Sequence, residues 1–116
     1  MKIELLNQYL LNKKLTTSGY PFDATTSVFK VMNKVFALFA EDETPLRINL
    51  KCDPAEAQIL RGMHESIIPG YHMNKEHWNT VILDGSLPDE LIYEMIDNSY
   101  DLVVKGLKKS DREKLL

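Results

Sequence analysis

Residues 46–52, LRINLKC, alternate apolar and polar side chains without a fault. Successive side chains of a strand point to opposite faces, whereas a helix would scatter both sets around its circumference. The run therefore predicts a strand with Leu46, Ile48, Leu50 and Cys52 on a buried side and Arg47, Asn49 and Lys51 facing water. Such a strand needs neighbours for its backbone groups and a second layer for its apolar side. Two neighbours stand just before it. Residues 27–32 carry Val28, Phe29 and Val31, and residues 35–40 read VFALFA, the continuous apolar pattern of a strand at a sheet centre or covered on both sides. Asn33-Lys34 reads as a tight turn, and residues 41–45 as a polar connection closed by Pro45. Connections this short join antiparallel strands.

Helices supply the second layer. Ile3, Leu6 and Leu10, with Leu5 and Tyr9, recur at helical steps over residues 2–14, and the segment from Thr16 to Pro21 ends that helix. Asp53-Pro54-Ala55-Glu56 combines a carboxylate cap, a first-turn proline and a glutamate at the third position, opening a helix to about Met63. Residues 64–77 predict a loop with a short strand near Tyr71, and WNTVIL at 78–83 a strand. Ser86-Leu87-Pro88-Asp89 offers a second capping box before a helix over 88–105. Its stripe is Leu91, Met95, Ser99 and Leu102, flanked by Ile92, Ile96 and Val103. Gly106 suits its stop, and Ser110 with Glu113 one more helical turn. The expected class is α+β: an antiparallel sheet with helices packed on one face. At 116 residues, one domain over 1–116 is expected.

Composition narrows the function classes. Hydrophobic residues at 44% and charged residues at 27% describe a globular chain rather than a disordered one. No apolar stretch approaches the roughly 20 residues of a membrane span, and the N-terminus lacks the apolar core of a secretory signal. One cysteine cannot form an internal disulfide, which fits a reducing compartment and leads to the cytoplasm as the expected location. The net charge of −3 excludes a whole-molecule basic field. Residues 79–116 carry eight acids against five bases while the first 78 hold nine of each, so any polyanion site is a local patch.

Catalytic patterns are sparse. Cys52 shares the buried parity of its strand, where burial disfavours the reactive thiolate. His72 and His77, with Glu76 and the more distant His64, lack the spacing and the cysteine pair of a metal site. Glu41, Asp42 and Glu43 read as a solvated turn. There is no Gly-rich phosphate loop and no Gly-x-Ser-x-Gly elbow. A protein without catalytic activity, cofactor or metal is expected. Trp78 is read first as a core or rim aromatic, with a stacking or interface anchor as the alternative. Lys30, Lys34, Arg47, Lys51 and Lys75 are the candidate cations of the sheet's wet face. Such a face can be merely solvated, or it can contact phosphates.

The order of these elements resembles the MmcQ/YjbR family of small bacterial proteins. The resemblance covers essentially the whole chain. It runs through Phe22, Val28-Phe29-Lys30-Val31, Lys34-Val35-Phe36-Ala37, Asp53-Pro54, Pro69-Gly70, His72, Trp78 and Ser99-Tyr100. It implies a CyaY-like (frataxin-like) arrangement and a double-winged mode of DNA binding, with no established enzymatic activity. It supplies no individual contact residues. An acidic iron-binding ridge on the first helix, which a frataxin-like fold brings to mind, is missing: residues 1–15 hold Glu4 against three lysines. The expectation is a monomer that binds nucleic acid, DNA foremost, weakly through the five named cations. The alternative is a protein-interaction or small-ligand module built on residues 67–78, with His72, His77 and Trp78 at its centre.

Overall fold

The computed structural model describes residues 1–70 and 73–116. Ten elements follow in chain order: α1 (Ile3–Leu11), β1 (Thr16–Gly19), β2 (Thr26–Val31), β3 (Lys34–Ala40), β4 (Arg47–Lys51), α2 (Pro54–Met63), β5 (Ile67–Pro69), β6 (Trp78–Ile82), α3 (Asp89–Lys105) and α4 (Lys109–Glu113). The strands form one antiparallel sheet in the order β1-β2-β3-β4-β6-β5. The expected α+β class holds.

Register explains where the core lies. Directly paired residues share a face, and Ser27, Phe39, Ile48, Val81 and Ile67 form one cross-strand row. Phe29, Ala37 and Leu50 continue that face in the next row. Against it lie Leu6 and Leu10 of α1 and Ile92, Met95, Ile96 and Val103 of α3. Helix α3 crosses β2, β3 and β4, while α1 packs beside β1 and α2 beside β5. Its buried stripe is Ile92, Met95, Ile96, Ser99 and Val103. Leu91 and Leu102 are only half-buried, so the helix is rotated toward the residues read as its flank.

Four local expectations need correction. The β2–β3 turn is Met32-Asn33, one residue earlier than Asn33-Lys34, because Val31 pairs with Lys34. Both turn residues are left-handed, at φ 49° and 68°, and two such residues give the twist that matches a right-handed hairpin. Thr16–Gly19, read as a helix terminator, is strand β1, an edge strand completed by pairing with β2. The short strand expected near Tyr71 is β5, at Ile67–Pro69; Tyr71 itself lies outside the described residues. Ser86 does not cap α3, whose N-cap is Pro88 without a side-chain bond. Its hydroxyl instead donates to Asp84 at 2.6 Å, an interaction that leads the lowering of the Asp84 carboxyl pKa. The Asp53 cap of α2 does form, its carboxylate accepting the Glu56 N–H at 3.3 Å.

Strand β3 carries one residue too many for β2. Phe29 pairs with Ala37 and Lys30 with Val35, leaving Phe36 as a bulge. Ser99 repairs the damage from the helix layer. Its hydroxyl donates to the Phe36 carbonyl at 2.6 Å and accepts the Lys51 N–H at 2.8 Å. A fully buried serine in an apolar stripe is thus a bridge between strands β3 and β4.

Candidate functional site

Among the described residues no helix packs on the second face of the sheet. Its central row is Val28, Leu38, Asn49, Thr80 and Ile68. Arg47 and Lys51 stand two positions either side of Asn49 and share its side, opposite Ile82 and Trp78 respectively. Lys30, two positions from Val28, emerges on the same face between Thr17 and Val35. Lys34 does not. It pairs with Val31, whose side chain is in the core, so it projects at the hairpin end from the helix side of the sheet. Lys75 is exposed in the turn before β6, at the end of the sheet where Lys51 and Trp78 pair. Among the described residues neither ion pair, Lys13–Asp97 or Lys114–Asp111, involves Lys30, Arg47, Lys51 or Lys75.

This face is less polar than the alternation of β4 alone suggests. Val28 and Thr80 are each 1% exposed although no helix covers them. The β1–β2 connection supplies part of the shelter, with Tyr20 and Pro21 beside Val28. Between that connection and Met73 lies a concavity of about 650 Å³, floored by Leu38, Ala40 and Asn49 and edged by Phe22, Arg47 and Glu43. Phe22 is 70% exposed, a large apolar ring held in water. Asp23 fixes the turn beneath it by accepting the backbone N–H groups of Thr25 and Thr26 at 2.9 and 2.6 Å; these bonds hold its carboxyl below the usual range. On the floor, the Thr80 hydroxyl donates to Asn49 Oδ1 at 2.6 Å, which turns the Asn49 amide so that its NH₂ remains a donor.

The opposite wall is tied down from behind. Arg61 of α2 donates from Nε to Asn79 Oδ1 at 2.6 Å and from Nη2 to the carbonyls of Trp78, at 3.1 Å, and Lys75. Gly70 lies so close to Trp78 that a Cβ there would stand 2.7 Å from the tryptophan Cβ. His77 is half-buried, and its carbonyl accepts the Cys52 N–H at 2.8 Å, extending the β4–β6 ladder. His72 lies outside the described residues. Phe22, Met73 and Arg61 were missing from the residues singled out as a site. An aromatic inside the polar turn YPFDATT was the available signal for Phe22; Met73 lay within the 67–78 segment given as the alternative module without being named, and nothing local marked Arg61.

Comparison with known proteins places this architecture. The YjbR family model matches residues 11–102. The chain belongs to the YjbR family. The YjbR-family protein of Escherichia coli K12, itself called uncharacterised, is 38% identical over 116 residues, covering 100% of this chain and 98% of that one. Among solved structures, the Deinococcus radiodurans protein DR2400, a DUF419 domain, superposes with a TM-score of 0.92 at 42% identity, over 98% of this chain and 87% of that one. A Pseudomonas syringae protein superposes with a TM-score of 0.76 at 31% identity, over 88% and 98% of the two chains. None of these three YjbR relatives is named for an activity.

The remaining candidate chemistry of this YjbR chain is plain. Cys52 is half-buried rather than in the core, and its thiol is pushed up to about 11, first by burial and then by the Glu56 and Asp53 carboxylates. At neutral pH it is a protonated thiol. Among the described residues no three His, Cys, Asp or Glu side chains gather as a metal would require, and no helix is long and apolar enough to cross a membrane.

Proposed function

We propose that this protein binds nucleic acid weakly through the helix-free face of its sheet, without catalysis. Lys30, Arg47 and Lys51 contact phosphates, and Lys75 extends the patch at its rim. One observation carries the reading: three cations emerge on a face that no helix covers, with no ion-pair partner among the described residues. Arg47 and Lys51 stand four positions apart on one strand, about 13 Å at strand rise. Lys30 is two strands away, about 10 Å at inter-strand spacing. That span suits neighbouring phosphates of one backbone. Contacts of this kind set affinity and position but read no sequence.

The test is fluorescence anisotropy of a labelled oligonucleotide at low salt, about 50 mM, where phosphate contacts are strongest. The parent protein is expected to bind, and the double variant Arg47→Glu/Lys51→Glu to lose that binding. Both positions lie outside the core, so the variant keeps its fold. Absence of binding by the parent protein, or equal binding by the variant, removes the proposal.

A small anionic ligand is the second reading, favoured by the concavity of about 650 Å³, within the roughly 300–1,000 Å³ of small-molecule sites. Met73 brings the 67–78 segment into it. Trp78 emission that stays constant through a titration of nucleotides and carboxylates counts against this reading.

A further inference from the structure

We infer that the occupant of this face is a single strand, with one unpaired base seated in the concavity between Phe22 and Met73. The inference rests on the nucleic-acid reading and specifies its substrate class. Its starting point is the mixture of groups that the fold brings together. Phe22 holds a ring 70% exposed at the edge of the concavity. Leu38 and Ala40 give an apolar floor, Asn49 an amide and Arg47 a cation at the rim.

A duplex meets few of these. Its bases are stacked inside and its outer surface is phosphate, so its binding scales with the number of cations presented. Here the face presents three on a molecule of net charge −3, and Glu43 lines the same concavity as Arg47. Duplex lying on this surface would leave the apolar concavity unfilled and bring a carboxylate toward its phosphates. An unpaired base has two flat apolar faces and a polar edge. One face stacks on Phe22, the other meets Met73 or Leu38, and the edge offers an acceptor to the Asn49 amide NH₂. Among the described residues that NH₂ has no other side-chain partner, while Asn49 Oδ1 is occupied by Thr80. Arg47 then reaches the phosphate next to the seated base, and Lys51 and Lys30 follow the strand outward. Charge complementarity selects an anion, and the exposed ring selects one with a stackable group.

Three labelled probes of equal length separate the possibilities: a single strand, its duplex, and a strand with abasic sugars throughout. Anisotropy at low salt is expected to rank the single strand about tenfold above the duplex and the abasic strand, the scale of one base–aromatic stack. Phe22→Ala is expected to weaken the single strand about tenfold and leave the duplex unchanged. Because Phe22 is mostly exposed, its removal leaves the core intact, which the far-ultraviolet spectrum checks. Duplex or abasic strand binding as tightly as the single strand, or a silent Phe22→Ala, overturns the inference and leaves phosphate contact standing. Failure of all three probes to bind overturns both.

Discussion

Ser99 is the residue on which the centre of the sheet turns. A bulge at Phe36 takes one carbonyl out of register, and the Lys51 N–H faces the gap. One hydroxyl serves both, accepting from the amide and donating to the carbonyl. Buried backbone groups without partners cost about 1–3 kcal/mol each. Ser99→Ala removes the bridge and is expected to destabilise the protein by about 2–3 kcal/mol, measured by urea unfolding with an unchanged slope. A loss below about 0.5 kcal/mol would mean that the two strands re-pair without it. The loss also reaches the candidate site, since Lys51 is one of its cations. Ser99 shows how a serine in an apolar helical stripe becomes intelligible only when its strand partners are known. Helical spacing placed it on the buried face, but no local pattern announced a bulge 63 residues away.

At the scale of elements, α1 and the turn after it meet α3 through a cluster of charged and aromatic groups. The Tyr9 hydroxyl donates to Asp97 at 2.6 Å, the Lys13 ammonium pairs with the same carboxylate, and the Tyr9 and Tyr93 rings stack with centroids 4.1 Å apart. Lys13 lies 5.4 and 5.7 Å from the ring centres of Tyr9 and Tyr100. Burial, then the bond to Asp97, pushes the Tyr9 phenol from 10.0 up to about 12. A raised value means that the folded state holds the proton more tightly than the unfolded state does. Its stabilising contribution is therefore complete below pH 10 and is lost as pH rises from 10 toward 12. Thermal unfolding is expected to show an alkaline decline over that window, and Tyr9→Phe to make it shallower. Tyr100 shifts in the same direction through burial, and Tyr20 through its bond to Glu41, so part of the decline persists in the variant. An identical decline in Tyr9→Phe would sever it from this contact.

For the whole molecule, charge decides how strongly any polyanion can be held. The net −3 opposes approach at long range, and three cations on one face attract it at short range. If each meets one phosphate of a single strand, the logarithm of affinity is expected to fall with the logarithm of salt at a slope of about −2. Anisotropy titrations between low and physiological salt measure it. A flat dependence would remove phosphates from the contact, and a slope steeper than about −4 would require cations beyond this face. The sign of the charge balance was plain from composition, and Lys30, Arg47 and Lys51 were already expected on one wet face, but the separation of Lys34 from them was not legible. Lys34 looked equivalent in sequence and stands on the other side because the Met32-Asn33 turn pairs it with Val31.

Periodicity runs along the chain, and whatever it controls was determined by the sequence alone. It placed β2, β3, β4 and β6, located α2 through the Asp53 cap, and identified Ile48 and Leu50 as interior. Partnership across the chain belongs to the tertiary structure. Thr16–Gly19 is too short and polar to declare itself, and becomes a strand only when β2 offers an edge. The apolar floor beside Asn49 comes from strands whose own patterns said nothing of their neighbours. Phe22 and Met73, 51 residues apart, meet at one concavity because their connections fold over the same side of the sheet. The reason is physical: a side chain's direction follows from local backbone geometry, whereas its company depends on register and loop path, which the whole core selects together.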